Sequence, residues 1–223
     1  MTLEFFNTII RWTSLLLYGL LQTFKISIFA SFIGLIIGVF IGVFTCNKIE
    51  IPVISRLFNI YTLCIRCIPF YTQLLMMYFA IPYALNISLK PQEASIIALG
   101  FCSAGYIAEI IRGGINSLAK GQWLAAKALG YSPYSTLRHI ILPQTINNVM
   151  PALGNEFIQI IHSTSILSSI GTIELTKIAN NIIAREMNPL VIYPLTALLY
   201  LITTGIIMLI LRRLERRNYN ANR

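Results

Sequence analysis

Long uncharged runs separated by short polar segments set the pattern of this chain. No Asp, Glu, Lys or Arg occurs in 26–47, 67–89 or 187–211. The run 94–111 carries only Glu109, and 140–173 carries only Glu156 and His162. About 20 mostly apolar residues are needed to cross roughly 30 Å of hydrocarbon. The pattern therefore predicts an all-α integral membrane protein with five spans, near 25–47, 66–89, 94–112, 141–170 and 189–211. The segment 1–24 is apolar but interrupted by Arg11, and it reads as a helix lying in the outer interface ahead of the first span. A sixth, short span is the competing reading. A secretory signal fits poorly, because Glu4 stands where a basic region belongs and no small-residue cleavage site follows.

Composition agrees with this pattern. Of 223 residues, 56% are hydrophobic and 11% charged, against about 25% charged in soluble domains. A chain of this size has no interior large enough to hide the excess, so it faces lipid. There are 17 Lys and Arg against 8 Asp and Glu, and their placement matters more than their sum. Alternate loops put Lys48, Arg56, Arg66, Arg112, Lys120, Lys127, Arg138, Arg212, Arg213, Arg216, Arg217 and Arg223 on one side. Arg11, Lys25, Lys90, Lys177 and Arg185 fall on the other. Basic loops stay cytoplasmic, which predicts the N-terminus outside and the C-terminus inside. The basic excess is thus a topology signal, with Arg212 to Arg217 anchoring at membrane lipid of the inner leaflet, and no nucleic-acid role is expected.

One loop, 113–140, is polar, basic and rich in Gly and Ala. Leu118 to Leu129 suits a short helix, with Leu118, Ala125, Ala126 and Leu129 along one side and Lys120 and Lys127 exposed. Gly130 suits its left-handed stop. Ser132 and Pro133 suit the start of the next helix. A compact helix-Gly-helix knob on the cytoplasmic face points to docking of another protein.

The spacing within this loop resembles the cytoplasmic signature of permease subunits of binding-protein-dependent ATP-binding-cassette (ABC) importers: Glu-Ala-Ala, three residues, Gly, nine residues, Ile, one residue, Leu-Pro. Leu124, Ala125, Ala126, Gly130, Ile140, Leu142 and Pro143 occupy the seven positions, and six agree. The run Ala104 to Ile115 and Lys120-Gly121-Gln122 are similar to the polar amino-acid subgroup, which includes histidine, glutamine and arginine permeases. Thr23, Arg66 with Pro69, Gln73, Thr164-Ser165, Glu174-Leu175 and Leu214 to Arg217 extend the likeness over most of the chain. The departures are Leu124 for the family's Glu, Cys67-Ile68 for Gly-Thr, and His162-Ser163 where Lys and an acidic residue are common.

The resemblance implies a single permease domain over 1–223 in the bacterial inner membrane. It implies a homodimer or sister permease forming the pathway and a separate ABC ATPase subunit seating the loop. An extracytoplasmic amino-acid-binding protein would deliver substrate. No enzymatic activity and no cofactor are expected, and the chain lacks the GxxxxGK[ST] pattern that cradles phosphates.

Ionisable groups inside a membrane are costly and therefore candidates for function. Glu156 leads, with His162 about 120° and Thr164 about 80° away around an ideal helix. Ser165, Asn155, Gln159, Ser163, Ser168 and Ser169 add hydrogen-bonding groups. Pro143 and Pro151 disturb helix regularity there. In one reading Glu156 faces a substrate ammonium or cationic side chain and Arg66 its carboxylate. In the other, Glu156 ties helices together and Arg66 snorkels to the interface. Glu174, Lys177, Arg185 and Glu186 mark a short outer surface helix, in contact with a binding protein or simply solvated. Cys46, Cys64, Cys67 and Cys102 read as small buried hydrophobes, without a second pair or His cluster to complete a metal site. A membrane enzyme would need paired acids, metal ligands or a nucleophile with its base, and Asp is absent altogether. A secondary transporter would be expected to carry internal repeats, and the chain has none.

Overall fold

The structure, a computed structural model, describes residues 2–46 and 52–221, with side chains described for 12–46 and 52–214. Position 47, Lys48, Arg223 and the side chains of Arg11, Arg216 and Arg217 lie outside the described residues. All regular structure among the described residues is helical. In order these are α1 (Thr2–Phe44), α2 (Pro52–Cys67), α3 (Phe70–Leu75), α4 (Ile81–Leu85), α5 (Pro91–Ser117), α6 (Lys120–Ala128), α7 (Pro133–Thr136), α8 (Leu142–Ser163), α9 (Leu175–Glu186) and α10 (Pro189–Ala221). π-helical turns at Met76–Ala80 and Leu137–Ile141 join α3 to α4 and α7 to α8, and a 3-10 segment, Thr164–Ile170, extends α8.

Among the described residues, three helical stretches are each long and apolar enough to cross a membrane: Trp12–Phe44, Pro91–Ser117 and Pro189–Leu214. Pro52–Cys67 and Phe70–Leu85 qualify together, bent by 108° at the break between them. The predicted fourth span, 141–170, corresponds to α8 with its 3-10 extension. Gln144, Asn147, Asn148, Asn155, Glu156 and Gln159 make that helix too polar to stand out by composition.

The separate interfacial helix predicted for 1–24 is corrected by α1, which runs unbroken from Thr2 to Phe44. Arginine lowers hydropathy but is a good helix former, so Arg11 interrupts the apolar run without interrupting the helix. No proline occurs in this stretch, and Leu16, Thr23, Ile26 and Ala30 are all fully buried along it. The second predicted span is also corrected. Its helix begins at Pro52 rather than near 66, and it breaks at Ile68 and Pro69. Proline lacks the N–H that would continue α2 and disfavours helical geometry in Ile68 before it. The Gln73 amide donates to the carbonyls of Ile65 at 2.8 Å and Ile68 at 2.7 Å, which satisfies groups that the break would leave bare.

α1 and α5 run alongside one another at close range. A methyl group on Gly38 would lie 2.7 Å from Ile107 Cβ, and one on Gly42 would lie 2.7 Å from the Ala108 carbonyl oxygen. Lipid supplies little hydrophobic drive between helices, so such close backbone approach is what holds them together. Three buried clusters follow the molecule from end to end. Trp12, Leu16, Leu175, Ala179, Ile182 and Ile192 join α1, α9 and α10. Ile26, Leu74, Ala98, Leu99 and Ile160 form the middle. Ile107, Ile111, Ile115, Leu137, Ile141 and Val149 lie beneath the docking loop.

Candidate substrate cavity and docking loop

Two helix faces with the same spacing meet in the middle of the molecule. α5 contributes Leu99, Cys102, Ser103 and Tyr106, and α8 contributes Glu156, Gln159, Ile160 and Ser163. Each set follows i, i+3, i+4, i+7, the single stripe that an α-helix presents to one neighbour. Phe70, just past the bend after α2, completes the lining of a cavity of about 370 Å³. That volume lies within the usual range for small-molecule sites, about 300–1,000 Å³. Glu156 is half-buried there and is the only carboxylate in the lining. Gln159, Ser103, Ser163 and Tyr106 place amide and hydroxyl groups beside it. An ammonium group with a polar, uncharged remainder suits such a lining, because the one charge finds a counter-charge and the rest finds hydrogen bonds.

The other proposed pathway residues fall elsewhere. His162 is on an exposed face of α8. Thr164 is fully buried and donates to the Ile161 carbonyl at 2.7 Å, and Ser165 donates to the His162 carbonyl at 2.7 Å. His162 still lies within α8, on a face turned away from Glu156, and the switch to 3-10 geometry at Thr164 ends the even 100° step assumed for Thr164. Arg66, at the end of α2, forms an ion pair with Glu109 of α5 at 3.3 Å, and Arg112 holds the same carboxylate oxygen at 2.6 Å. The α5 half of the lining carries no charge and spans only one stripe of a long helix. Its spacing opposite Glu156 was the available signal.

The docking loop is built as a bracket. α6 covers Lys120–Ala128, and Gly130 takes a positive φ of 83° to reverse the chain. Ser132 caps α7 by accepting from the Ser135 N–H at 3.2 Å, with Pro133 in the first turn. Ala126 is buried, and Trp123 packs with Leu142 and Ile140 against the cluster around Leu137 and Ile141. Gln122 and Gln144 exchange reciprocal amide hydrogen bonds of 3.1 Å. The single apolar side predicted for this helix is therefore split. Ala126 faces inward and Leu118 is half-buried, whereas Ala125 and Leu129 face out. Leu124 is 67% exposed, and Leu129, Tyr131 and Tyr134 are exposed near it. An apolar, aromatic knob thus stands clear of the body at the position where the family signature has Glu. Pro143 is the second residue after the π-helical turn, in the first turn of α8.

The sequence places Glu174 on a short outer surface helix, open to a binding protein or to solvent, and the structure corrects this. It is fully buried and caps α9, accepting from the Thr176 N–H at 2.8 Å, the Lys177 N–H at 2.5 Å and the Tyr200 hydroxyl at 3.1 Å. It lies outside the spanning helices, between the 3-10 segment and α9. Burial pushes its carboxyl up to about 7, against the pull of the hydrogen bonds from Thr176, Lys177 and Tyr200. The Thr23 hydroxyl accepts from the Leu175 N–H at 3.2 Å, and Ser95 and Thr172 share a buried 2.7 Å hydrogen bond. This short stretch is therefore fastened to α1, α5 and α10.

Known proteins share this sequence and this shape. Residues 34–218 match the family model described as the binding-protein-dependent transport system inner membrane component. The glutamine transport system permease protein GlnP of Escherichia coli is 37% identical over 204 residues, covering 91% of this chain and 92% of that protein. A chain in the crystal structure of an amino acid ABC transporter with histidines is 34% identical, with a TM-score of 0.88 over 95% of this chain and 98% of that one. A chain of the MetNI methionine ABC transporter in an inward facing conformation has the same fold, with a TM-score of 0.82 at 20% identity over 93% and 98% of the two chains. The extent of the family match and the identity to full-length relatives establish that this chain belongs to the binding-protein-dependent transport system inner membrane components.

Proposed function

We propose that the chain is the permease subunit of an ABC importer for polar amino acids and that the cavity between α5 and α8 is its substrate site. The observation that carries this reading is the single carboxylate, Glu156, set among Gln159, Ser103, Ser163 and Tyr106 in a cavity of amino-acid size. Glu156 meets the substrate's α-ammonium, and the hydroxyl and amide groups suit an uncharged polar side chain. The glutamine permease among its relatives and the amino acid ABC transporter solved with histidines support an amino acid as cargo.

The remaining assignments follow from the same reading. α8 crosses the membrane as a fifth span, giving the N-terminus outside and the docking loop inside. The exposed knob around Leu124, Ala125, Leu129 and Gly130, backed by Ala126, Ile140, Leu142 and Pro143, seats in a separate ATPase subunit. A second permease subunit, identical or a sister, completes the pathway, and an extracytoplasmic amino-acid-binding protein supplies it. ATP-driven closure of the ATPase pair moves the knob, and helices packed as closely as α1 and α5 turn together. Among the polar pathway candidates, Glu156 carries recognition, while Thr164, Ser165 and His162 shape the end of α8.

The test is substrate binding and ATP-dependent uptake by the reconstituted complex carrying Glu156→Gln. Loss of a buried charged partner is expected to weaken amino-acid binding at least tenfold, with the complex still assembled and its ATPase active. Unchanged affinity and uptake would sink the assignment of this cavity.

A further inference from the structure

Three charged side chains form a cluster just beyond the cavity, on the way to the docking loop. Tyr106 lines the cavity, and Glu109 is one turn farther along α5, with Arg112 one turn farther again. Phe70 lines the cavity from just past the bend, and Arg66 stands four residues before it at the end of α2. Two guanidinium groups share one carboxylate, so the cluster has a formal charge of +1.

The sharing is unequal. Arg112 bonds Glu109 Oε2 at 2.6 Å within the same helix. Arg66 reaches the same oxygen from another helix at 3.3 Å, and its side chain is 50% exposed. A guanidinium has five donors in a planar fork and binds a carboxylate best through two of them. Arg66 is therefore loosely held, under-used and open to a second carboxylate, whereas Arg112 keeps Glu109 in place.

We infer that Glu109 and the substrate's α-carboxylate compete for Arg66, so that Arg66 forms a second subsite between the cavity and the docking loop and Glu109 sets how long it holds its cargo. This rests on the amino-acid cargo and the Glu156 cavity proposed above. When the site is empty, Glu109 takes Arg66. When an amino acid moves down from Glu156, its carboxylate displaces the weaker of the two ion pairs, and Glu109 then reclaims Arg66 and frees the cargo.

An ordinary structural ion pair makes a different prediction, because removing either partner then has the same effect. The experiment is equilibrium binding of L-glutamine and of its α-amide to the nucleotide-free permease–ATPase complex in nanodiscs, without binding protein. Glu109→Gln removes the competitor and is expected to tighten L-glutamine binding about fivefold, the size of a partly exposed ion pair. Arg66→Gln is expected to weaken it by about the same factor and to abolish any preference for L-glutamine over the α-amide. Glu109→Asp keeps the charge and is expected to give a Kd between those of wild type and Glu109→Gln, which guards against reading a folding defect as a result. Shifts of the same sign in Glu109→Gln and Arg66→Gln, or no shift in either, would overturn the exchange. Glu156→Gln is measured in parallel. If it binds like wild type, the cavity reading fails whatever the other two show. If it weakens binding while Glu109→Gln and Arg66→Gln shift together, the cavity stands and the exchange falls.

Discussion

Each of the two acids of this molecule that most need an account has its own chemical setting. Glu156 looks into a cavity with polar neighbours that a ligand can share, while Glu174 already has three donors and no access to water. Glu174 therefore belongs to stability. Its carboxyl lies at about 7 in the fold against an ordinary 4.5. A raised acid is deprotonated more easily in the unfolded chain, so its contribution is fully present below 4.5 and is lost as pH rises through 7. Thermal unfolding of the purified complex should show this as a midpoint that falls between pH 5 and pH 8. In Glu174→Gln that part of the slope should vanish. Glu174→Ala removes the cap outright and should cost at least about 1–2 kcal/mol at pH 5, the usual range for a lost N-cap, with the cost shrinking as pH rises through 7. The sequence singles out Glu156 and places Glu174 on an outer surface helix, so the deeper burial of Glu174 goes unread. Burial depends on Tyr200 and Thr23, which lie 26 and about 150 residues away in sequence, and no local pattern announces such partners.

At the level of helices, the docking loop was the most legible part of the chain. Gly130, Ser132 and Pro133 each have a local physical role that needs no tertiary partner, and each is found in that role. The face of α6 was harder to read. Nine residues give too little periodicity to decide which side docks inward, and the anchors Trp123 and Gln122 are chosen by α8 rather than by α6 itself. Because Ala126 is the buried contact of α6, Ala126→Leu should lift the helix from its bracket by overpacking, at about 1–3 kcal/mol. The expected outcome is an assembled permease with reduced coupling, measured as uptake per ATP hydrolysed. Uptake and coupling equal to wild type would show that the bracket is not what positions the knob. The bend after α2 illustrates the converse difficulty. Pro69 was visible, but a proline alone does not announce a 108° break. The amide of Gln73 makes that geometry stable, and its targets, Ile65 and Ile68, are backbone groups with no sequence signature.

For the whole molecule, hydropathy located the uncharged runs but misjudged where helices begin and end. Hydropathy reports what faces lipid, whereas helix continuity is set by backbone hydrogen bonding and the absence of breakers. Arg11 lowered the first and left the second untouched, so α1 is one helix of 43 residues. The α1–α5 contact follows the same logic. Gly38 and Gly42 are unremarkable in an apolar run, yet a side chain at either has no room. Gly38→Val should separate the two helices and destabilise the protein by about 1–3 kcal/mol, read as a lower yield of folded complex and a lower Tm. Gly113→Ala is the matching control, since nothing lies within 4 Å of a methyl group there.

At about 1.5 Å per residue, α1 measures roughly 65 Å, twice the hydrocarbon thickness of a bilayer. A helix of that length curves gently but has no proline between its ends to act as a hinge. Near Gly19 it is packed against α9, and near Gly42 it is packed against α5 just above the docking loop. The two membrane faces are thus ends of one beam. A tilt at the α5 end therefore reaches the α9 end along one continuous helix, and a load on the α9 end travels back the same way.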